Sequence, residues 1–192
     1  PNTTRSTRTY TTWSHSNQIS VRTPIVRPRI ALFYMRILAI DPGYERLGVA
    51  IIDKEKHQKE VLVFSECFKT KPTDTHTARL HQIRTHIETV AKKYKPETMA
   101  TETLYFSTNK KTALLVAEAR GVILSTGTAC GLSVFEYTPN TIKLTITGYG
   151  NADKKSMMGM VPRLIDGTEG LKIDDEFDAI AIGITHSVLY KE

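Results

Sequence analysis

The sequence predicts a mixed α/β domain on a five-stranded sheet, an antiparallel meander continued by parallel strands, with helices on both faces. Three observations lead there. In RILAIDPGYERLGVAIID (residues 36–53) two apolar runs flank a Pro-Gly turn. A third run, EVLVFSECFKT (60–70), alternates apolar and polar residues as a half-buried strand does. After it, segments of helical period alternate with short apolar runs, the signature of crossover units that lay strands parallel.

Each element has its own justification. Residues 36–41 and 47–53 read as strands joined at Pro42-Gly43, with 60–70 completing the meander. In THTARLHQIRTHIETVAKKY (75–94), Leu80, Ile83, Ile87, Val90, Ala91 and Tyr94 recur at helical spacing, and Pro96 follows the end. ETMATET (97–103) is a short strand closing on Glu102. Residues from 108 to about 130 form a helix with Gly121 inside it and Gly131 closing it, and LSVFEY (132–137) is the next strand. Shorter helices are expected near 139–147 and 152–164. The last helix runs from about 175 to 189, with Phe177, Ala181, Ile184 and Val188 on one face.

The chain of 192 residues is long enough for one domain with a real core. No apolar run approaches the roughly 20 residues that span a bilayer, so no membrane partner is expected. Cys67 and Cys130 lie far apart in apolar segments and read as reduced core residues, which points to an intracellular protein. The net charge of +6 is unevenly placed: residues 1–34 hold five arginines and no Lys, Asp or Glu, leaving 21 basic against 20 acidic side chains. The bulk charge of the remainder therefore says little about nucleic acid, and the placement of charges must decide. Residues 1–34 read as a disordered basic extension, or as sequence ahead of a natural start at Met35. A transit peptide or a phosphate-contacting arm suits the same composition. The folded domain is expected over 35–192.

The acids carry the chemistry. Asp41 ends the most hydrophobic strand, although burying a carboxylate is unfavourable unless something compensates. Glu102 ends another strand, and Asp175 and Asp178, three residues apart, share one face at the start of the last helix. Singly, Asp41 before Pro-Gly reads as a turn former, and Asp174, Asp175 and Glu176 as helix-start acids favoured by the dipole. Together, four acids from three distant segments, each at an element's end, suit divalent cations of the Mg²⁺ type, which prefer oxygen ligands. Two such ions about 3.5–4 Å apart can hold the attacking and leaving oxygens of a phosphodiester displacement.

Four stretches, RILAIDPGYERLGVAIID, ETLYFSTNKKTALLVAEARGVIL, VFEYTPNTIKLTITGYGNADKKSMMGMV and DDEFDAIAIGITH, resemble in order and spacing the RuvC family of bacterial Holliday-junction resolvases. The resemblance spans Met35 to Tyr190 and implies an RNase H-like fold. It implies a homodimeric, Mg²⁺-dependent endonuclease, with two ions per site and Mn²⁺ able to substitute, that nicks opposing strands of four-way junction DNA in recombination and repair. It places the catalytic, metal-binding acids on Asp41, Glu102, Asp175 and Asp178, a catalytic lysine on Lys154, and DNA contacts on Tyr105, Phe106 and Lys143. Lys110, Lys111 and Lys155 lie in segments ending near that site and are further candidates for phosphate contact. A branch-migration motor is an implied partner, and a cytoplasmic, nucleoid-associated location follows. Departures from the family pattern are GVAIID in the second strand, Tyr105 in place of phenylalanine, Asp174 beside Asp175, and the choice between Lys154 and Lys155.

Two other readings compete. YqgF-like RNA-processing nucleases share the fold, and their first motif also carries Arg followed by Gly-Val-Ala, as in Arg46-Leu47-Gly48-Val49-Ala50 here. A non-catalytic nucleic-acid-binding module would keep the fold without the chemistry. His186, late in the last helix, reads as structural.

Overall fold

The computed structural model describes residues 34–103 and 110–191. Its elements run β1 (Tyr34–Asp41), β2 (Arg46–Glu55), β3 (Glu60–Lys69), α1 (His76–Tyr94), β4 (Thr98–Glu102), α2 (Lys110–Ala129), β5 (Ser133–Tyr137), α3 (Pro139–Thr147), α4 (Lys154–Leu164), β6 (Ile165–Asp166) and α5 (Asp174–Leu189). The sheet order is β5-β4-β1-β2-β3-β6. β1, β2 and β3 form the expected antiparallel meander, and β4 and β5 add in parallel beside β1. The sheet has six strands and not five. β6 is a two-residue strand paired in parallel with Glu60 and Val61, too short for any period-two pattern to announce it. β1 already begins at Tyr34; the rest of the N-terminal extension lies outside the described residues.

Side-chain alternation along β1 divides the core. Ile37 and Ala39 point to the face covered by α3, α4 and α5. Leu38 and Ile40 point to the other face, where Ile83 and Ile87 of α1 and Ala119 and Ile123 of α2 pack. The expected single apolar face of α5 is an underestimate. Residues 176–187 of this helix are all buried apart from the half-buried Asp178, while Val188 is exposed, because α5 lies across the central strands β1 and β2. The approach is close: a Cβ on Gly183 would come within 2.4 Å of Ile52 and 3.0 Å of Ala39. Such a helix, buried nearly all round, reads as apolar on every side.

Polar links fix the helix along its length. Ser65 donates to Glu176 at 2.5 Å near its start. Near its end, buried His186 bridges the Tyr137 hydroxyl at 2.8 Å and Thr98 Oγ1 at 2.9 Å. That is the structural role expected for His186. Burial pushes its pKa down to about 4, so it stays neutral.

Candidate active site

Strand parity aims two of the acids. Asp41 follows Ile37 and Ala39 at period two, and Glu102 follows Thr98 and Ala100, so both carboxylates leave the sheet on the face that α5 covers. The parallel register pairs Ile40 with Thr101, which leaves Asp41 and Glu102 as neighbours one step beyond. α5 brings the other two acids in its first turn, where its dipole favours negative charge. Gly48 makes this possible. It pairs with Asp41 across the hairpin, and a Cβ there would lie 2.1 Å from the Asp175 carbonyl oxygen and 3.0 Å from the Asp41 Cβ. Only a residue without a side chain lets the helix start press onto the strand end.

The acids sense one another. Burial, then the charges of Asp178, Glu102 and Asp175, push Asp41 up to about 7. Burial and Asp178 push Glu102 up to about 7, opposed by Lys143. Asp178 is also raised, by burial, against the pull of Lys154. Asp175 goes the other way. Burial would raise it, but hydrogen bonds from Arg46 and its charge outweigh burial and hold the carboxyl below its ordinary range.

Basic side chains flank the cluster on two sides. Lys154 Nζ sits 3.2 Å from both Asp174 Oδ2 and Asp178 Oδ2. It is the first residue of α4, behind the N-cap Asp153, whose Oδ1 accepts from the Ser156 amide at 2.7 Å. Lys155 is exposed and makes no such pair among the described residues. Arg46 donates from Nε to Asp175 Oδ2 at 3.0 Å, with Nη2 bonded to the same oxygen. Beside the acids opens a cleft of about 230 Å³, rimmed by Glu102, Lys143, Lys154 and Asp178 over Ile142 and Met157.

The geometry thus brings together Asp41, Glu102, Asp175, Asp178, Lys143 and Lys154. Asp174 is exposed, pairs with Lys154, and is not among the charges that perturb Asp41, whereas Asp175 is. Tyr105 and Phe106 lie outside the described residues, as do the side chains of Lys110 and Lys111, whose backbone opens α2. Three neighbours of the site escaped the sequence reading. Arg46 and Gly48 stood in view in RLGVA, and hairpin register alone would have set Gly48 opposite Asp41. Cys67 corrects an expectation: it and Cys130 are free, as expected, but both are only partly buried, and while Cys130 packs against the α1–α2 core, Cys67 lies beside the site. Cys67 pairs with Gly48, and its thiol lies beside Asp175; burial, then the Asp175 charge, push its pKa up.

The donor set fits a hard divalent cation, since all four acids offer oxygen and raised pKa values mark a deficit of positive charge. Among the described residues, no three acid, imidazole or thiol groups stand at joint metal-binding spacing. Two of the acids are instead paired with bases, Asp175 with Arg46 and Asp178 with Lys154.

Comparison with known proteins agrees with this geometry. The sequence model of the family described as "Crossover junction endodeoxyribonuclease RuvC" matches residues 37–186. The chain belongs to the RuvC family. A RuvC relative from Fusobacterium nucleatum is 41% identical over 152 residues, 79% of this chain and 80% of the relative. Among solved structures, Thermus thermophilus RuvC in complex with Holliday junction substrate is 29% identical, with a TM-score of 0.74 over 80% of this chain and 93% of that one. The yeast mitochondrial Holliday junction resolvase Ydc2, 13% identical with a TM-score of 0.63 over 80% of this chain and 78% of that one, shares the fold. The match over most of the chain places it with RuvC.

Proposed function

We propose that this RuvC-family endonuclease resolves four-way DNA junctions by paired hydrolytic nicks that depend on divalent cations held by Asp41, Glu102, Asp175 and Asp178. The observation that carries the reading is the meeting of two strand-end acids with the α5 start beside a cleft that Glu102 and Asp178 line, where burial and mutual repulsion drive Asp41 and Glu102 to about 7. Bound Mg²⁺ or Mn²⁺, two ions in this reading, supplies the positive charge that activates a water and neutralises the departing oxygen. The chain's own residues do the rest. The four carboxylates orient the ions and, once loaded, no longer repel a phosphodiester. Lys154, shared between Asp174 and Asp178 at the rim, turns to the scissile phosphate as fixed positive charge. Lys143, half-buried in the cleft, offsets charge beside Glu102.

Symmetric nicking needs two sites related by a two-fold axis, so the working form is a homodimer. One of Tyr105 and Phe106, which follow Glu102, stacks on a base unpaired at the crossover, a contact of roughly 1–3 kcal/mol per base. Lys110, Lys111 and Lys155 add phosphate contacts. A branch-migration motor supplies the junction, in the bacterial cytoplasm. No described helix is long and apolar enough to cross a membrane.

The experiment is nicking of a synthetic four-way junction beside a linear duplex and a structured RNA precursor, with Mg²⁺ or with chelator. Symmetric Mg²⁺-dependent cuts confined to the junction are expected, and Asp178→Asn should abolish cutting while retaining junction binding. Preferential cutting of the RNA would sustain the RNA-processing reading. Binding without any cutting, and no difference with Asp41→Asn, would leave a binding module.

A further inference from the structure

Arg46 is not among the side chains from which the nuclease reading was built, yet it makes the most direct contact with any of the four acids. It is the first residue of β2, its side chain is 48% exposed, and both Nε and Nη2 bond to one oxygen of Asp175, whose side chain is 20% exposed. Gly48, two residues on, holds the Asp175 backbone against the strand. The backbone of Asp175 is therefore held close to β2 while its carboxylate bonds to Arg46. Asp175 lies near enough to Asp41 for its charge to add to the rise in the Asp41 pKa. Arg46 has no second carboxylate holding it: among the described residues its side chain bonds to Asp175 and interacts with the neighbouring Cys67 thiol.

We infer that Arg46 is a displaceable counterion, occupying Asp175 in the cation-free site, yielding it when cations load, and then turning to a phosphate of the bound junction. The inference rests on the reading of Asp175 as a metal-binding acid. Charge logic supports the exchange. A half-exposed guanidinium on a partly exposed carboxylate is a salt-screened pair, whereas a divalent cation shared with Asp41 also relieves the repulsion among the remaining acids. A cation that takes Asp175 also repels Arg46, and a guanidinium released at the lip of a nuclease cleft matches a phosphate in fork geometry. Lys154 has the same arrangement on the opposite side with Asp178. The two bases thus offset the charge of the α5 acids, Arg46 at Asp175 and Lys154 at Asp174 and Asp178. Arg46 acts on the metal through Asp175 and is a positioning residue.

The test separates metal from DNA. Mn²⁺ binding to the full chain without DNA is measured by the electron paramagnetic resonance of free Mn²⁺, at low salt, for the unaltered protein, Arg46→Gln, Arg46→Lys and Asp178→Asn. Junction binding is then measured in Ca²⁺ as a function of salt. Arg46→Gln should bind Mn²⁺ roughly three- to tenfold tighter, with Arg46→Lys in between, because a competing charge is removed. The same Gln variant should bind the junction more weakly, with a log–log salt slope lower by about 0.9, the share of one phosphate contact. Unchanged or weaker Mn²⁺ binding in both variants would overturn the exchange, and an unchanged salt slope would overturn the transfer to phosphate. Circular dichroism confirms that each variant is folded, and the Lys variant retains the charge if Gln perturbs the strand end. Should the unaltered protein bind Mn²⁺ no better than Asp178→Asn, the metal-site reading itself fails, an outcome distinct from failure of the exchange.

Discussion

Removing the charge of Asp41 should stabilise the metal-free protein. The carboxyl sits at about 7 against an ordinary 3.8, chiefly because it is buried and secondly because Asp178, Glu102 and Asp175 repel it. The folded state therefore keeps a proton that the unfolded chain releases between about pH 4 and 7. Stability falls as pH rises through that window. Below it both states are protonated and nothing is lost; above it both are ionised and the full penalty stands. A rise of about three pH units at about 1.4 kcal/mol each gives about 4 kcal/mol as an upper bound. Relaxation of the cluster and counterions reduce this to about 2 kcal/mol, which for a chain of this size moves Tm by about 4–8 °C. Asp41→Asn keeps the shape and removes the charge. Thermal unfolding in chelator at pH 8 should find the variant more stable by that amount, with the gap closing by pH 4. Added Mg²⁺ should then raise the Tm of the unaltered protein and leave the variant nearly unmoved. A variant no more stable than the parent at pH 8 in chelator would refute the reasoning.

Three further outcomes are expected. Gly48→Ala puts a methyl 2.1 Å from the Asp175 carbonyl, so α5 must shift; nicking should fall at least about 100-fold, with about 1–3 kcal/mol lost in chemical denaturation. Lys154→Ala should lower the single-turnover nicking rate about 10- to 100-fold, whereas Lys155→Ala, exposed and outside the cluster, should change it less than about threefold. His186→Phe leaves the Tyr137 and Thr98 hydroxyls without their shared partner and should lose about 2–4 kcal/mol in urea unfolding. Because the folded pKa of His186 lies below the ordinary 6.5, the unfolded chain takes up a proton first as pH falls from about 6.5 to 4, so this variant should also lose part of the parent's acid destabilisation.

The order of elements was legible because each has a strong period or a terminator. The two strands around Pro42-Gly43, the stripe from Leu80 to Tyr94, and Gly131 after the second long helix all lie where the pattern puts them. β6 was not legible, since two residues have no period. The convergence of Asp41 and Glu102 was half legible: the sequence shows both at strand ends, but only the parallel register sets them side by side on one face. Arg46 and Cys67 were illegible as neighbours of Asp175. They reach it across more than a hundred residues, through the antiparallel pairings of β2 with β3 and the seat of α5 on Gly48. Local pattern carries no trace of such contacts.

With cations held by the acids as proposed, protons and cations compete for the same oxygens, and that fixes the response of the site to pH. A phosphodiester cannot approach four ionised acids, so the cleft must be discharged before DNA enters. Asp41 and Glu102 can be discharged by protonation, with both at about 7, or by metal. Only metal leaves the carboxylate oxygens oriented for hydrolysis. Nicking at limiting Mg²⁺ should therefore rise with pH through about 7, and for each tenfold increase in Mg²⁺ below saturation the midpoint should move down by as much as about one pH unit divided by the number of protons each ion displaces. A general base titrating near 7 would give the same rise at one concentration of metal. Its midpoint would stay put as Mg²⁺ changed. Rate profiles at three Mg²⁺ concentrations separate the two, and a fixed midpoint would mean that the raised acids are not where the metal binds.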